Sequence, residues 1–291
     1  MLISYNEACA RDCSTLEQDL ELCERTGFDC IELRLDMLRD YLTRHTVNEL
    51  VAFFRTSRLR PHAFNALYLY PEFLGPEDDP GRQAALLEEF ELGCQVGKTI
   101  GSRYFIVVPP LQRNSDGGPY LGRWEDTYAS CVRILSRLSD LAWPYGMNLC
   151  FELVGFERSS VRSIEQADAI IRAVDRPNVG FVFDSYNIYL NGGRNDFSGI
   201  DAVQPEKIFA AHLMSADDVA PALRGQDKRR FCGSGAVDTG AFLRALKQAG
   251  YSGIASVETF RPEYWEKDPE WVIQTAYDTT RAELERWGCL S

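Results

Sequence analysis

Residues 2–8 read Leu2-Ile3-Ser4-Tyr5-Asn6-Glu7-Ala8. A short strand-like run passes directly into polar residues, with no glycine-rich turn between it and the next segment. An open, doubly wound sheet that binds a nucleotide carries a glycine-rich phosphate loop at this first strand-to-helix turn. Its absence directs the reading toward a closed barrel, provided that enough strand–helix units come after it.

They do. Further apolar or β-branched runs stand at 30–33, 61–67, 104–108, 148–153, 179–183, 208–212 and 254–257, each leading into a helix-like stretch. Parallel strands joined by helical crossovers leave few topologies. Eight units without a long linker predict a single (β/α)8 TIM barrel over residues 1–291, an α/β fold. Helix punctuation agrees. Ser14 with Glu17, Thr46 with Glu49, and Ser163 with Gln166 have capping-box spacing, and Asp268-Pro269 suits a cap and first turn. Gly27, Gly101, Gly146, Gly250 and Gly288 fall where helices should stop. Leu16, Leu20 and Cys23 share one face of the first helix. The stretch 109–122, rich in Gly, Pro, Asn and Asp, is the clearest long loop.

Composition bounds the partners. A chain of 291 residues, 45% hydrophobic and 25% charged, is ordinary for a globular protein with a substantial core. The formal charge of −12 speaks against a nucleic-acid binder, which presents a basic surface, although a local basic groove is not excluded by it. No leader-like start and no membrane-length apolar run are evident, so the expectation is a cytoplasmic protein with no membrane partner. Nine cysteines without a C-x-x-C pair read as reduced, largely buried thiols. A homo-oligomer is compatible with the sequence but not required by it.

In a barrel the chemistry sits at the C-terminal ends of the strands. Four consecutive runs end in a potential ligand: Glu152, Asp184, His212 and Glu258. Singly, Asp184 also reads as a helix cap, Glu152 or Glu258 as the partner of a buried arginine, and His212 as a satisfied core histidine. Together they put three carboxylates in one apolar setting, where they repel one another and resist desolvation. A divalent cation such as Mn, Co, Zn or Mg resolves both problems with this oxygen and nitrogen set, and leaves positions for substrate oxygens.

These residues resemble the xylose-isomerase-like and endonuclease-IV-like barrel superfamily, and especially its inosose (2-keto-myo-inositol) isomerases. The likeness spans nearly the whole chain. It is carried by Asn6-Glu7-Ala8, 19–24, Ile31-Glu32-Leu33-Arg34, Asn65-Ala66-Leu67, 142–146, 151–155, Asp184-Ser185, Gly233-Ser234-Gly235-Ala236 and, most specifically, Phe260-Arg261-Pro262-Glu263-Tyr264. The resemblance implies that Glu152, Asp184, His212 and Glu258 hold one divalent metal ion, and that Glu152 and Glu258 form the acid/base pair. The implied reaction shifts a carbonyl between adjacent carbons of a small polyhydroxy ketone, 2-keto-myo-inositol to 1-keto-chiro-inositol, through an enediolate. Arg229, in Lys228-Arg229-Arg230, matches a substrate-contacting arginine, and otherwise reads as a solvated basic loop. Glu7, Asn65 and Asn187 are candidate hydroxyl binders.

Two departures stand out. Where the family carries a histidine three residues after the strand-six aspartate, this chain has Asn187, which hydrogen-bonds but holds no proton at neutral pH. The family's Pro-Gly-x-Gly reads Cys232-Gly233-Ser234-Gly235. Other expectations are a structural Glu32–Arg34 ion pair, a pocket wall or loop packing for Tyr264 and Trp265, and a lid or loop packing for Tyr68, Tyr70 and Phe73. His62 is expected near the barrel mouth, and His45 at a surface helix start. Rival activities on the same site are ketose 3-epimerisation and dehydration of an inosose or of dehydroshikimate. A three-zinc DNA-cleaving site is disfavoured, because the chain has only three histidines. A non-catalytic polyol-binding barrel is the remaining alternative.

Overall fold

The computed structural model describes residues 1–69, 80–112 and 118–291. The expected strand runs form β1 (Leu2–Asn6), β2 (Cys30–Arg34), β3 (Arg60–Tyr68), β4 (Tyr104–Val108), β5 (Asn148–Glu152), β6 (Val179–Asp184), β7 (Ile208–His212) and β8 (Ile254–Val257). All are parallel, and they close in the order β1-β8-β7-β6-β5-β4-β3-β2. The seam joins first strand to last, with Leu2 opposite Ile254 and Tyr5 opposite Val257. The fold is the expected TIM barrel.

Helices α1 (Leu16–Thr26), α2 (Leu35–Leu42), α3 (Val47–Thr56), α4 (Pro80–Ile100), α5 (Trp124–Ala142), α6 (Ile164–Val174), α7 (Ser185–Leu190), α8 (Thr239–Gln248), α9 (Pro262–Trp265) and α10 (Pro269–Arg286) follow the strands. Capping boxes at Thr46/Glu49 and Ser163/Gln166 and the Asp268 cap are as read. The first box is displaced by one residue. Thr15 and Gln18 form it, because the Ser14 hydroxyl instead donates to the buried Asp19 carboxylate at 2.6 Å. Gly27 closes α1 with φ 115°, a left-handed conformation that disfavours a side chain.

Strand alternation builds two layers. Phe105, Val107, Leu149, Phe151, Phe181 and Phe183 point outward into the helix-packed core. Burying one such side chain contributes about 2–3 kcal/mol. Ala63, Ile106, Cys150, Val182 and Ala210 fill a smaller apolar cluster inside the barrel. Ser4, Glu32, His212 and Ser256 are also fully buried. All nine cysteines are free thiols, and all but Cys13 are buried. Among the described residues, no helix is long and apolar enough to cross a membrane.

His62 corrects an expectation. It lines a pocket with Leu2, Cys30, Arg60, Tyr104 and Ile254, all strand starts, so it lies at the opposite end from the mouth. β3 runs for nine residues, and position within it decides which end a side chain reaches. His45 does precede a surface helix, pairing with Glu17 and Glu49. Tyr70, Phe73 and the central part of the 109–122 loop lie outside the described residues.

Candidate metal centre

Each strand from β5 to β8 delivers one side chain to the same spot. Glu152 ends β5, Asp184 ends β6, His212 ends β7, and Glu258 follows β8 directly. One ligand atom from each lies within 4.8 Å of the others, and all four residues are buried. Asp184 serves twice. Its Oδ1 accepts the Asn187 N–H at 2.7 Å, capping α7, while its Oδ2 turns to the cluster.

His212 carries the chemical information. Its Nε2 lies 3.1 Å from Oε1 of Glu32. Its Nδ1 faces Glu258 Oε2 at 3.4 Å and Glu152 Oε1 and Asp184 Oδ2 at 3.7 Å, yet makes no hydrogen bond. A buried ring nitrogen without a hydrogen bond, aimed at three carboxylates, fits a divalent cation between them. A histidine ligand that gives its other N–H to a carboxylate is the usual second half of such a site.

The carboxylates are oriented from the other half of the barrel. Glu258 Oε1 accepts from Asn6 Nδ2 at 3.0 Å and from Asn65 Nδ2 at 2.9 Å. Asn65 also donates to Glu32 at 3.2 Å. Glu152 Oε1 accepts from Asn187 Nδ2 at 2.8 Å. Arg229 is 1% exposed, so the solvated-loop reading fails. Its Nη1 donates to Asp184 Oδ2 at 2.6 Å and lies 3.2 Å from Glu258 Oε2. The guanidinium sits over the Tyr186 and Phe260 rings at 5.4 and 5.3 Å.

Electrostatics follow from these placements. Burial pushes Glu152 up to about 7, with the Glu258 charge adding to the rise. Burial would also raise Asp184, but Arg229 and His212 bring it down to about 2. Burial alone would lower His212; Glu32 and Glu258 instead hold it well above its ordinary range.

A cavity of about 510 Å³ opens over this floor. Asn65, Glu152, Asn187, Arg229 and Glu258 line its base, and Tyr68, Phe260 and Trp265 line its walls. Tyr264 packs instead, stacked on Phe231 at 4.3 Å. Two expectations are corrected. Glu7 does not line the cavity: it is fully buried, and its Oε2 accepts the Arg34 backbone N–H at 2.5 Å. Glu32 and Arg34 form no ion pair, because Glu32 turns to His212 while Arg34 pairs with Asp36 at 2.7 Å. Sequence reading missed Asn6 and Glu32 as partners that hold Glu258 and His212 of the candidate centre. Asn6 had a signal, since it ends β1 where site residues gather.

The profile of the xylose isomerase-like TIM barrel family matches residues 20–275, and the chain belongs to that family. Among its relatives is an inosose isomerase of Bacillus velezensis, 36% identical over 99% of this chain and 98% of the other. Another is an inosose isomerase of Bacillus subtilis, 36% identical over 96% of each chain. The crystal structure of the IOLI protein with a bound zinc atom is 35% identical, covers 99% of both chains and superposes with a TM-score of 0.89.

Proposed function

We propose that this chain is a divalent-metal-dependent isomerase that moves a carbonyl between adjacent carbons of an inosose, converting 2-keto-myo-inositol to 1-keto-chiro-inositol. The observation that carries the reading is His212 Nδ1, buried, without a hydrogen bond and facing three carboxylates. Full-length similarity to inosose isomerases supplies the substrate class.

Glu152, Asp184, His212 and Glu258 would hold the cation. When bound, it supplies Lewis acidity that offsets negative charge on neighbouring substrate oxygens. Glu152 and Glu258 handle the proton. One carboxylate takes it from the hydroxyl-bearing carbon beside the ketone, and the released electron pair forms the C=C bond of an enediolate. A proton is then returned to the former carbonyl carbon, and the hydroxyl proton passes to the other oxygen, so the mass is unchanged. Asn187 aims Glu152 through its 2.8 Å hydrogen bond, and Asn6 with Asn65 aim Glu258. Arg229 and the free Oδ1 of Asn187 are placed to bind substrate oxygens. The aromatic walls shield the reacting carbons from water. Residues 1–291 act as one catalytic domain.

The test is proton NMR with Mn2+ and 2-keto-myo-inositol in heavy water beside a chelated control. A second ketone with deuterium at the reacting carbon, formed only with metal, is expected. Loss of water instead identifies a dehydratase, and inversion at one carbon without carbonyl migration identifies an epimerase; either outcome replaces the isomerase reading.

A further inference from the structure

Beside the active-site cavity lies a second one, of about 620 Å³, that shares Phe156 and Arg158 with it. Arg158, Arg162 and Arg224 line this side cavity, and Glu157, which is exposed, is the only carboxylate among its described lining residues. In a chain of formal charge −12, this is a local excess of positive charge.

The three arginines are half-buried, yet none has a carboxylate within 4 Å among the described residues, whereas Arg34, Arg229 and Arg261 each do. Arg158 rests 5.8 Å from the Phe156 ring. Arg162 donates Nε to the Gly155 carbonyl at 3.3 Å, which leaves its terminal nitrogens available. Arg224 lies 5.0 Å over the Tyr189 ring, and its Nε is buried without an acceptor. The backbone makes room for it: a Cβ at Gly193, where φ is +65°, would stand 2.0 Å from Arg224 Nη1. A buried N–H without a partner is costly, and an arginine held by ring and backbone contacts presents a ready fork to an anion.

We propose that this side cavity binds a phosphate group, whether free inorganic phosphate or the phosphate of a small polyol monoester whose ring end reaches past Phe156 into the main cavity. The guanidinium groups of Arg158, Arg162 and Arg224 supply the donors, and their planar geometry matches phosphate oxygens two at a time. The site is separate from the ligand cluster, so it stands whether or not the isomerase reading holds.

The experiment is calorimetric titration of magnesium-loaded protein with inorganic phosphate, then with myo-inositol 1-phosphate and with myo-inositol. Saturable phosphate binding is expected, weakened about tenfold or more by Arg224→Gln and less by Arg224→Lys, which keeps the charge but loses the fork. Ala222→Asp, on the exposed rim, adds a repelling charge without touching the arginines and should weaken binding as well. Tighter binding of the monoester than of phosphate or myo-inositol identifies a polyol phosphate as the ligand, and equal affinity for monoester and phosphate identifies free phosphate. Absence of saturable binding, or affinity unchanged by both Arg224→Gln and Ala222→Asp, overturns the proposal.

Discussion

Glu32 and His212 meet ring nitrogen to carboxylate at 3.1 Å, both fully buried, 180 residues apart in the chain. The contact settles which nitrogen of His212 is left for the cluster. In the metal-free protein burial would raise Glu32, but the His212 charge and hydrogen bond bring it down to about 2. Glu32→Gln keeps the shape and removes the charge. Divalent-metal affinity should fall about 10- to 100-fold, read by competition with a fluorescent chelator, while the circular dichroism spectrum stays the same.

Metal removal should destabilise the chain as well as stop turnover. Without a divalent cation, three buried carboxylates face one another with Arg229 and the His212 ring as their cationic neighbours. A ligand present at a hundred times its Kd stabilises the folded state by about 2.7 kcal/mol. Chelation should therefore lower the melting temperature by several degrees, on the order of 2–4 °C per kcal/mol, and added Mn2+ or Zn2+ should restore it.

Asn187 stands three residues after Asp184, and it directs Glu152 through its 2.8 Å hydrogen bond. Asn187→Ala leaves a buried carboxylate oxygen without its donor, a loss of about 1–3 kcal/mol, or roughly five- to 150-fold in kcat/KM. The pH–rate profile separates positioning from packing. A positioning role moves the limb controlled by Glu152 to higher pH, since a hydrogen bond to the ionised form has gone, whereas a packing role lowers the rate at every pH alike.

Gly155 passes so close to α7 that a Cβ there would lie 2.2 Å from the Asn187 carbonyl oxygen and 2.7 Å from the Asn191 nitrogen. These are backbone atoms that cannot swing aside. Gly155→Ala should cost on the order of 1–3 kcal/mol of stability and should reduce kcat more than it raises KM, because the displaced segment carries Asn187. A chemical denaturation curve and steady-state kinetics on the same preparation check both parts.

Glu7 and Asp19 lie buried behind β1 and give stability a pH dependence. Asp19 Oδ2 and Glu7 Oε1 have no hydrogen-bond partner. Burial pushes Asp19 up to about 8, and burial together with the Asp19 charge raises Glu7. In the unfolded chain these carboxyls ionise near about pH 4. Between that pH and about 8 the unfolded state releases protons that the folded state retains, so stability is greatest below the window and is lost as pH rises through it. The melting temperature should drop by roughly 8 °C or more between about pH 5 and pH 8, and Asp19→Asn should flatten the slope.

How legible the molecule was in its sequence depended on the range of the interactions. Strand runs and strand-end ligands are local patterns, and Glu152, Asp184, His212 and Glu258 met as the barrel geometry requires. Beyond the misplaced His62 and Glu7, the misreadings concern partners. Glu32 and Arg34 are two residues apart and of opposite charge, yet a histidine from β7 takes one and Asp36 the other. Ser14 and Thr15 are equally able to cap α1, and only the buried Asp19 decides between them. Asn6 and Glu258 are 252 residues apart, and no local pattern pairs them.

That last pair has a consequence for the life of the chain. β1 and β8 meet at the seam, and Asn6 grips Glu258 across it. A ribosome releases the first strand early and the last strand late, so the two halves of this grip exist together only once the barrel has shut. A nascent or nicked chain with β8 undocked keeps three members of the candidate metal cluster but cannot aim the fourth. The hydrogen bond across the seam thus ties the closing of the barrel to the placement of one carboxylate of the candidate metal centre.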